Sequence, residues 1–238
     1  MRVIVTGASR GIGNGIARAA AAAGHDVGLV ARSADLLEQL QNELTSAGHV
    51  AARAVVDLQD ASATERAFGE LIDSLGGVDA LVNNAGLVIR RSIVDLELAE
   101  WQAMMRTNVD GVFHATRAVL PTLRAQQSGH IVNISSISGR MPLSGGSGYA
   151  ASKYAVTGLS ESMFHELRDD GIKVSTVFPG SVATETRPTG DDSWKVTPVE
   201  VGETVVHLLE TAPGNCVHSV EIRPLRKPYD AVLPPQLG

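Results

Sequence analysis

The segment Thr6-Gly7-Ala8-Ser9-Arg10-Gly11-Ile12-Gly13 joins a short apolar run, Arg2–Thr6, to a stretch with helical periodicity. In such a turn Gly7 permits a tight reversal, Gly11 lets the backbone approach a pyrophosphate, and Gly13 lets the helix pack closely on the strand. An ordinary strand–helix turn is the alternative, but a strand before and a helix after the glycines favour the phosphate-binding form. The segment therefore predicts the opening unit of an α/β fold.

Short apolar runs alternate with helical patterns along the rest of the chain. The runs are rich in Val and Ile and are bounded by Gly, Asp, Asn or Ser, as strands buried on both faces are. This alternation predicts an α/β fold with a doubly wound, Rossmann-type parallel sheet of about seven strands and helices on both faces. The predicted strands are residues 2–6, 27–31, 53–57, 79–83, 130–135, 173–178 and 217–222.

The interval between Val182 and Val196 is a long stretch without clear periodicity. A loop of this length is often a lid or a binding loop, and a plain surface excursion is the alternative. Within it, Trp194 either covers a substrate or anchors the loop. Because no linker or repeat interrupts the alternation elsewhere, we predict a single domain, 1–238, with a substrate loop at about residues 182–196.

Composition and charge exclude several classes of protein. The chain has 238 residues, of which 44% are hydrophobic and 19% charged, as in folded globular proteins. A net charge of −6 without a basic cluster argues against nucleic-acid binding. No apolar run approaches the roughly 20 residues of a membrane span, and the glycine turn begins too early for a signal peptide. Since Cys216 is the sole cysteine, we expect a cytoplasmic protein with no membrane and no nucleic-acid partner.

The end of the second predicted strand bears on the choice of dinucleotide. NAD-binding folds place an acidic residue there for the ribose 2′-hydroxyl, whereas this chain has Ala31 followed by Arg32. A guanidinium suits a 2′-phosphate by charge and by bidentate geometry, and Arg10 in the glycine turn is a second candidate. Two solvated surface arginines are the alternative, but together with the missing acid the pair favours NADP(H).

Tyr149-Ala150-Ala151-Ser152-Lys153 places a phenol and an ammonium four residues apart. Positions i and i+4 share a face of a helix, so these two side chains can meet a common ligand. A free tyrosine titrates near ~10, and a neighbouring ammonium lowers that pKa because it favours the phenolate. The spacing is common by chance, so its meaning depends on other segments that match.

Six segments together resemble the short-chain dehydrogenase/reductase family, in its short single-domain, NADP(H)-preferring branch. The resemblance extends over essentially the whole chain. Ordinary turns and helix caps are the alternative for each segment alone, but agreement on separate segments favours the family. The segments are residues 6–13, Asn83-Asn84-Ala85-Gly86, Thr107-Asn108-Val109, Ser136 thirteen residues before the tyrosine, Tyr149-x-x-x-Lys153, and Pro179-Gly180-Ser181-Val182-Ala183-Thr184.

The resemblance implies a role for each matched residue. Tyr149 would be the acid/base, Ser136 would donate to the substrate oxygen, and Lys153 would bond the nicotinamide ribose. The main chain at Asn108 would hold a water that relays protons to Lys153, and Asn83 would stabilise the central strands. The implied catalytic set is Asn108, Ser136, Tyr149 and Lys153. The implied cofactor-binding set is Gly7, Ser9, Arg10, Gly11, Ile12, Gly13, Arg32, Asp57, Leu58, Asn84, Ala85, Gly86, Tyr149, Lys153, Pro179, Gly180, Val182 and Thr184.

Two parts of the cofactor set carry finer expectations by resemblance. Asp57 and Leu58 would meet the adenine, although an Asp at a strand end is also a common helix cap. The Val182 backbone would orient the nicotinamide carboxamide, and Thr184 would reach the carboxamide or the pyrophosphate. No metal is predicted, because the seven histidines show no ligand spacing.

The predicted function is an NADP(H)-dependent oxidoreductase that interconverts a ketone or aldehyde and an alcohol by hydride transfer. A small-molecule carbonyl or alcohol is the expected partner, and the resemblance implies a homo-oligomer, tetramer or dimer, paired through helices at 110–126 and 150–168. Two alternatives stay open: a 3-oxoacyl-carrier-protein reductase, and a non-catalytic NADP(H)-sensing regulator. The ending Ser219-Val220-Glu221-Ile222-Arg223-Pro224 differs from the Gly-Gly ending of the former. It is closer to relatives that act on small 3-hydroxy acids, aldehydes and assorted ketones.

Overall fold

A computed structural model describes residues 1–142, 144–185 and 191–226 of the chain. Its strands are β1 (Arg2–Thr6), β2 (Asp26–Ala31), β3 (Ala51–Val55), β4 (Ala80–Asn83), β5 (Gly129–Ile134), β6 (Ile172–Pro179) and β7 (Ser219–Ile222). They form one parallel sheet in the order β3-β2-β1-β4-β5-β6-β7. The predicted sheet is confirmed, and each strand begins and ends within two residues of its prediction.

Helices lie on both faces of the sheet, as the alternating pattern predicts. They are α1 (Gly11–Ala22), α2 (Ala34–Ser46), α3 (Ala61–Leu75), α4 (Leu98–Met105), α5 (Gly111–Gln126), α6 (Ser147–Leu167) and α7 (Pro198–Leu209). One apolar core, which includes Ile16 and Leu40, joins the sheet to α1, α2 and α7. A second core, which includes Phe68, joins the opposite face to α3, α5 and α6. Burial of this apolar surface stabilises the fold by about 25 cal/mol per Å².

The two edge strands differ from the expected burial on both faces. β1 is buried along nearly its whole length, whereas exposed and partly buried residues alternate along most of β3 and all of β7. Val55 in β3 and Glu221 in β7 are among the residues at these edges that solvent reaches. The expectation is wrong there because an edge strand pairs on one side only and lies at the margin of the helix layers.

Two glycines let α1 pack tightly against α7. A Cβ on Gly15 would lie 2.3 Å from the carbonyl oxygen of Pro198, and one on Gly202 would lie 2.6 Å from the carbonyl oxygen of Gly15. The amino end of α7 carries a capping box in which the Thr197 Oγ1 accepts from the Glu200 N–H at 3.2 Å. This packing holds α1, and with it the glycine turn, against the sheet.

The carboxyl ends of the strands form the edge of the sheet where a ligand is expected. The strand order reverses between β1 and β4, and in open α/β sheets ligands bind in the crevice outside the strand ends at that point. Within the described ranges, no helix is both long and apolar enough to cross a membrane.

Candidate active site

The turn between β1 and α1 has a conformation that its glycines make possible. Gly7 and Gly11 have φ angles of 67° and 57°, in the left-handed region that glycine adopts without strain. A Cβ on Gly13 would lie 2.2 Å from the carbonyl oxygen of Gly7, so the helix and the turn approach as closely as predicted. The side chain of Arg10, which precedes α1, makes no capping hydrogen bond. The amino end of α1 thus presents N–H groups and a favourable dipole to an anion.

The Asn-Asn-Ala-Gly turn after β4 is tied to the end of β1. The Thr6 hydroxyl accepts from the backbone N–H groups of Asn84 at 3.0 Å and Ala85 at 3.1 Å, and the Asn84 side chain donates to the Thr6 carbonyl at 2.9 Å. The Asn83 amide donates to the Asn133 side chain on β5 at 2.9 Å. The first asparagine therefore bonds to a neighbouring strand, as expected, while the second holds the two turns together.

A cleft of about 490 Å³ opens at this edge of the sheet. It brings the glycine turn, the ends of β2 and β3, the turn after β4 and the beginning of α6 into one site. The predicted site residues that line it are Gly7, Ser9, Arg10, Gly11, Ile12, Arg32, Asp57, Leu58, Asn84, Ala85, Gly86, Tyr149, Lys153 and Thr184.

Other predicted residues lie outside the lining of the cleft: Gly13, Asn108, Ser136, Pro179, Gly180 and Val182. The lining also includes residues that are not in the predicted set: Val30, Ala31, Ser33, Val56, Val88, Thr107, Ile134 and Ser135. Most of these are immediate neighbours of strand ends, so their shared signal in the sequence is their position at the carboxyl end of a predicted strand.

Arg32 lies at the end of the cleft formed by β2 and β3. Its guanidinium is 3.6 Å from a carboxylate oxygen of Asp57, and the two side chains are 68% and 48% exposed. An ion pair this open to solvent contributes little to stability. Arg32 is therefore available to bind another anion, and Asp57 is the group that would compete with it.

Lys153 is a buried titratable group of the site whose pKa is strongly lowered. The residue is 5% exposed, and its Nζ donates to the backbone carbonyl of Ile134 at 2.8 Å and lies 6.0 Å from the centre of the Tyr149 ring. Burial lowers the pKa of this ammonium to about 8 because desolvation disfavours the charged form. A lysine whose pKa lies near neutral pH is suited to proton exchange.

Asn108 lies in a π-helical turn, Arg106–Asp110, between α4 and α5. Such turns are rare in proteins as a whole, but those that occur are often at functional sites. The Asn108 side chain accepts from the Leu87 N–H at 2.6 Å and donates to the Leu87 carbonyl at 2.9 Å. Its amide also donates to the Ser152 hydroxyl at 2.9 Å. The side chain is thus occupied in joining the segment after β4 to α6.

Ser152 is a residue of the site that the sequence did not single out. It is fully buried, and its hydroxyl donates to the backbone carbonyl of Tyr149 at 2.8 Å while accepting from Asn108. It therefore links the π-helical turn to the helix that carries Tyr149 and Lys153. Its place between the two residues in Tyr-x-x-Ser-Lys is the signal that could have indicated it.

The three serines after β5 differ in their surroundings. Ser135 is buried, and its hydroxyl donates to the Lys153 carbonyl at 3.1 Å. Ser138 is also buried. Ser136 is half-buried, and its hydroxyl oxygen accepts from the Ser138 N–H at 3.1 Å, which leaves the hydroxyl hydrogen to donate elsewhere. Ser136 is thus the least buried of the three, whereas Ser135 is the one that lines the cleft.

The loop after β6 returns toward the phosphate turn. Val182 pairs with Val196 across its base, and the Thr184 Cγ2 lies 3.5 Å from where a Cβ on Gly11 would be. Thr184 therefore lies beside the glycine turn. The Trp194 indole donates to the Asp191 carbonyl at 3.0 Å, within the loop itself. Part of the predicted substrate loop, residues 186–190, lies outside the described residues.

The arrangement combines an anion-binding end with a proton-transfer end. Backbone N–H groups, Arg10 and Arg32 lie at the anion-binding end, with the Asp57 carboxylate beside Arg32. A phenol, a hydroxyl and a buried ammonium lie near the start of α6. Across the described ranges, no group of three His, Cys, Asp or Glu side chains is placed to hold a metal ion. Such a site can bind a phosphorylated cofactor and exchange a proton with its substrate.

Comparison with known protein families supports this interpretation. The model of the short chain dehydrogenase family matches residues 1–193. An uncharacterized oxidoreductase of Staphylococcus epidermidis is 32% identical over 224 residues, which cover 93% of this chain and 96% of that protein.

Solved structures show the same fold. An alcohol dehydrogenase from the archaeon Thermococcus sibiricus, complexed with 5-hydroxy-NADP, has a TM-score of 0.89 and 29% identity over 95% of this chain and 98% of that one. The closed form of a serine dehydrogenase complexed with NADP+ has a TM-score of 0.88 and 32% identity over 96% and 97% of the two chains.

Proposed function

The chain belongs to the short-chain dehydrogenase family, and on that premise we propose that it is an NADP(H)-dependent oxidoreductase that interconverts a ketone or aldehyde and an alcohol. The observation that carries the proposal is the cleft that brings the glycine turn, Arg32, Tyr149 and Lys153 to one edge of the sheet. Use of NADP(H) makes reduction of the carbonyl the favoured direction.

The residues of the cleft fit NADP(H). The uncapped amino end of α1 and the glycines before it suit the pyrophosphate. Arg10 and Arg32 both line the cleft and suit a 2′-phosphate, while Ala31 supplies no carboxylate for a ribose 2′-hydroxyl. The neighbouring structures that contain NADP+ or 5-hydroxy-NADP support the same assignment.

The proposed chemistry divides between cofactor and protein. When bound, NADPH supplies the hydride that reduces the carbonyl carbon. Tyr149 donates a proton to the carbonyl oxygen, and the Ser136 hydroxyl donates a hydrogen bond that stabilises the charge developing on it. The two side chains come from the beginning of α6 and from the turn after β5, and the proposal requires both to reach one substrate oxygen.

Lys153 and a water held by the main chain at Asn108 return to Tyr149 the proton that it gives up. The buried ammonium of Lys153, with its pKa lowered to about 8, favours the phenolate of Tyr149 and exchanges protons readily at neutral pH. The Asn108 side chain is occupied by Leu87 and Ser152. We therefore assign its role in proton relay to the main chain, which would hold the relay water.

A panel of carbonyl compounds, each assayed with NADPH and with NADH, tests the function. The panel contains aldehydes, ketones, small 3-oxo acids and a 3-oxoacyl thioester, and the absorbance of the reduced nicotinamide reports turnover. We expect oxidation of NADPH with at least one class of carbonyl. Tight NADPH binding without turnover of any compound, or of the corresponding alcohols with NADP+, would favour a cofactor-sensing regulator and contradict the proposal.

Replacement of Arg32 tests the assignment of the 2′-phosphate. Arg32→Ala removes a cation that we place on this phosphate, so we expect the dissociation constant for NADPH to rise by about 10–100-fold, as for loss of a hydrogen bond to a charged group. The constant for NADH, which lacks the phosphate, should change by less than about threefold. Arg18→Ala is the control, because Arg18 is also exposed and pairs with a carboxylate, Glu43, on α2. An equal rise in the dissociation constants for NADPH and NADH would reject the assignment.

The oligomeric state, the cellular location and the class of substrate complete the proposal. We propose a homo-oligomer, dimer or tetramer, formed through α5 and α6, because Phe113 and Tyr154 are large side chains that these helices leave about half-exposed. A single domain and a cytoplasmic location, supported by Cys216 as the sole cysteine, agree with the function. Small 3-hydroxy acids, aldehydes and ketones are the favoured substrates.

A further inference from the structure

Arg140 lies at the end of the turn that carries Ser136. A single turn of 3-10 helix, Ile137–Gly139, follows Ser136, and Arg140 is the residue that ends it. Its guanidinium carbon lies 3.8 Å from the centre of the Phe178 ring, and Phe178 is fully buried in β6. A guanidinium stacked on an aromatic face at this distance is held by cation–π attraction and by the flat contact of the two groups.

The same guanidinium reaches the edge strand β7. It donates to the Ser219 hydroxyl and lies 3.9 Å from a carboxylate oxygen of Glu221. The other carboxylate oxygen of Glu221 pairs with Arg223, whose guanidinium lies 3.3 Å from the Met141 sulfur. Planar geometry and five N–H donors let one arginine serve several partners at once. Arg140 therefore connects the Ser136 turn with both β6 and β7.

Contacts at the backbone add a fourth element. The Tyr154 hydroxyl on α6 donates to the Arg140 carbonyl. At the other end of the turn, the Ser135 N–H donates to the Val177 carbonyl at 2.9 Å, and the Ser135 hydroxyl donates to the Lys153 carbonyl. The segment from Ser135 to Arg140 is thus held at both ends, and half-buried Ser136 lies between the two anchors.

We infer that Arg140 is a positioning residue that holds the Ser136 hydroxyl in place for the substrate oxygen, and this inference rests on the proposed function. The anchor at Ser135 and the bond from Tyr154 to the Arg140 carbonyl do not depend on the guanidinium. Its loss would therefore loosen one end of the turn, by removing the links to β6 and β7, and leave the other end in place. The fold would persist, while the hydroxyl of Ser136 would sample positions too far from the substrate to stabilise the transition state. The phosphate end of the cleft lies on other elements and would be unaffected.

A double-mutant cycle between Arg140 and Ser136 tests this inference. Arg140→Met keeps an apolar stem over Phe178 but removes the guanidinium, and we expect it to lower kcat about tenfold, as for a small misplacement of a catalytic group. The dissociation constant for NADPH should stay within about twofold. In a Ser136→Ala background the same substitution should lower kcat by less than about twofold, because the group that Arg140 positions is already absent. Arg140→Lys, which restores a cation above Phe178, should recover part of kcat.

Arg53→Met is the matched control for the cycle. The side chain of Arg53 is 34% exposed, and that of Arg140 is 39% exposed. Like Arg140, Arg53 bonds two side chains: it donates to the Glu38 carboxylate and to the side-chain oxygen of Gln41. It lies in β3, outside the lining of the cleft, so kcat should not change. Thermal unfolding of all variants verifies that they are folded.

The outcomes separate this inference from the proposed function. An inactive wild-type protein would reject the proposed function itself. An active wild type with an unchanged Arg140→Met variant would overturn the role of Arg140 alone. So would an Arg140→Met loss that is equally large with and without the Ser136 hydroxyl, because the arginine would then act through some other group.

Discussion

Tyr149→Phe is expected to lower kcat for carbonyl reduction by about 10³-fold while the dissociation constant for NADPH stays within about twofold. The substitution removes one hydroxyl and keeps the ring, so packing at the start of α6 is retained. The lost group is the proposed proton donor to the carbonyl oxygen. Without it the oxygen must take its proton from water, which is neither positioned nor matched in pKa for the transfer.

The second tyrosine on α6 supplies the control. Tyr154→Phe removes the same hydroxyl just over one helical turn further on, where it bonds the Arg140 carbonyl. Because it acts at most on the position of the Ser136 turn, we expect a loss in kcat of less than about tenfold. Single-turnover measurements with prebound NADPH isolate the chemical step. If Tyr149→Phe retained wild-type kcat, or if Tyr154→Phe were the more damaged variant, the assignment of Tyr149 would be wrong.

The sequence predicted the fold almost completely because its information is local. Each strand is a short Val- and Ile-rich run next to a helix with its own period, and short connections between parallel strands leave few topologies. The glycine turn is equally local, since the positive φ angles of Gly7 and Gly11 and the close contact of Gly13 lie within seven residues. The predicted burial of the edge strands was wrong because the topology of the whole chain decides which strands lie at the edges of the sheet.

The supporting contacts of the site were beyond prediction for the opposite reason. Ser152 reads as an ordinary helix serine until its hydroxyl is seen to accept from Asn108, 44 residues away in the chain. Arg140 meets Ser219 across 79 residues. A residue type and a spacing indicate which groups do chemistry, whereas the groups that hold them in place are identified by contacts that only the folded chain brings together.

Lys153→Met is expected to separate activity from stability. Loss of the ammonium removes the proposed partner of the nicotinamide ribose and of the Tyr149 phenolate, so kcat should fall by about 10²–10⁴-fold. The same change should raise the free energy of unfolding of the cofactor-free protein by about 1–3 kcal/mol at pH 7. Burial lowers the pKa of this lysine from 10.5 to about 8. A difference of that size corresponds to a penalty of about 3 kcal/mol for the buried charge, and loss of the bond to Ile134 offsets part of the gain.

The pH dependence of this gain identifies its cause. Below pH 8 the lysine is charged in the folded and the unfolded states, so the full penalty of the buried charge is present. Between pH 8 and 10.5 the folded protein releases the proton while the unfolded chain still holds it, so wild-type stability rises relative to the variant. The advantage of Lys153→Met in urea unfolding should therefore shrink across this window.

Lys173→Met is the matched control, and it should lower rather than raise the free energy of unfolding. The Lys173 ammonium donates to the carbonyls of Thr211 and Ala212 and to the Thr211 hydroxyl. Its removal leaves those oxygens without this donor, so we expect the free energy of unfolding of the variant to fall by about 1–2 kcal/mol. If Lys153→Met were destabilised to the same extent, Lys153 would be a structural cation like Lys173. A stabilised but inactive variant would instead show that the fold keeps a costly buried charge at the position where the proposed chemistry needs one.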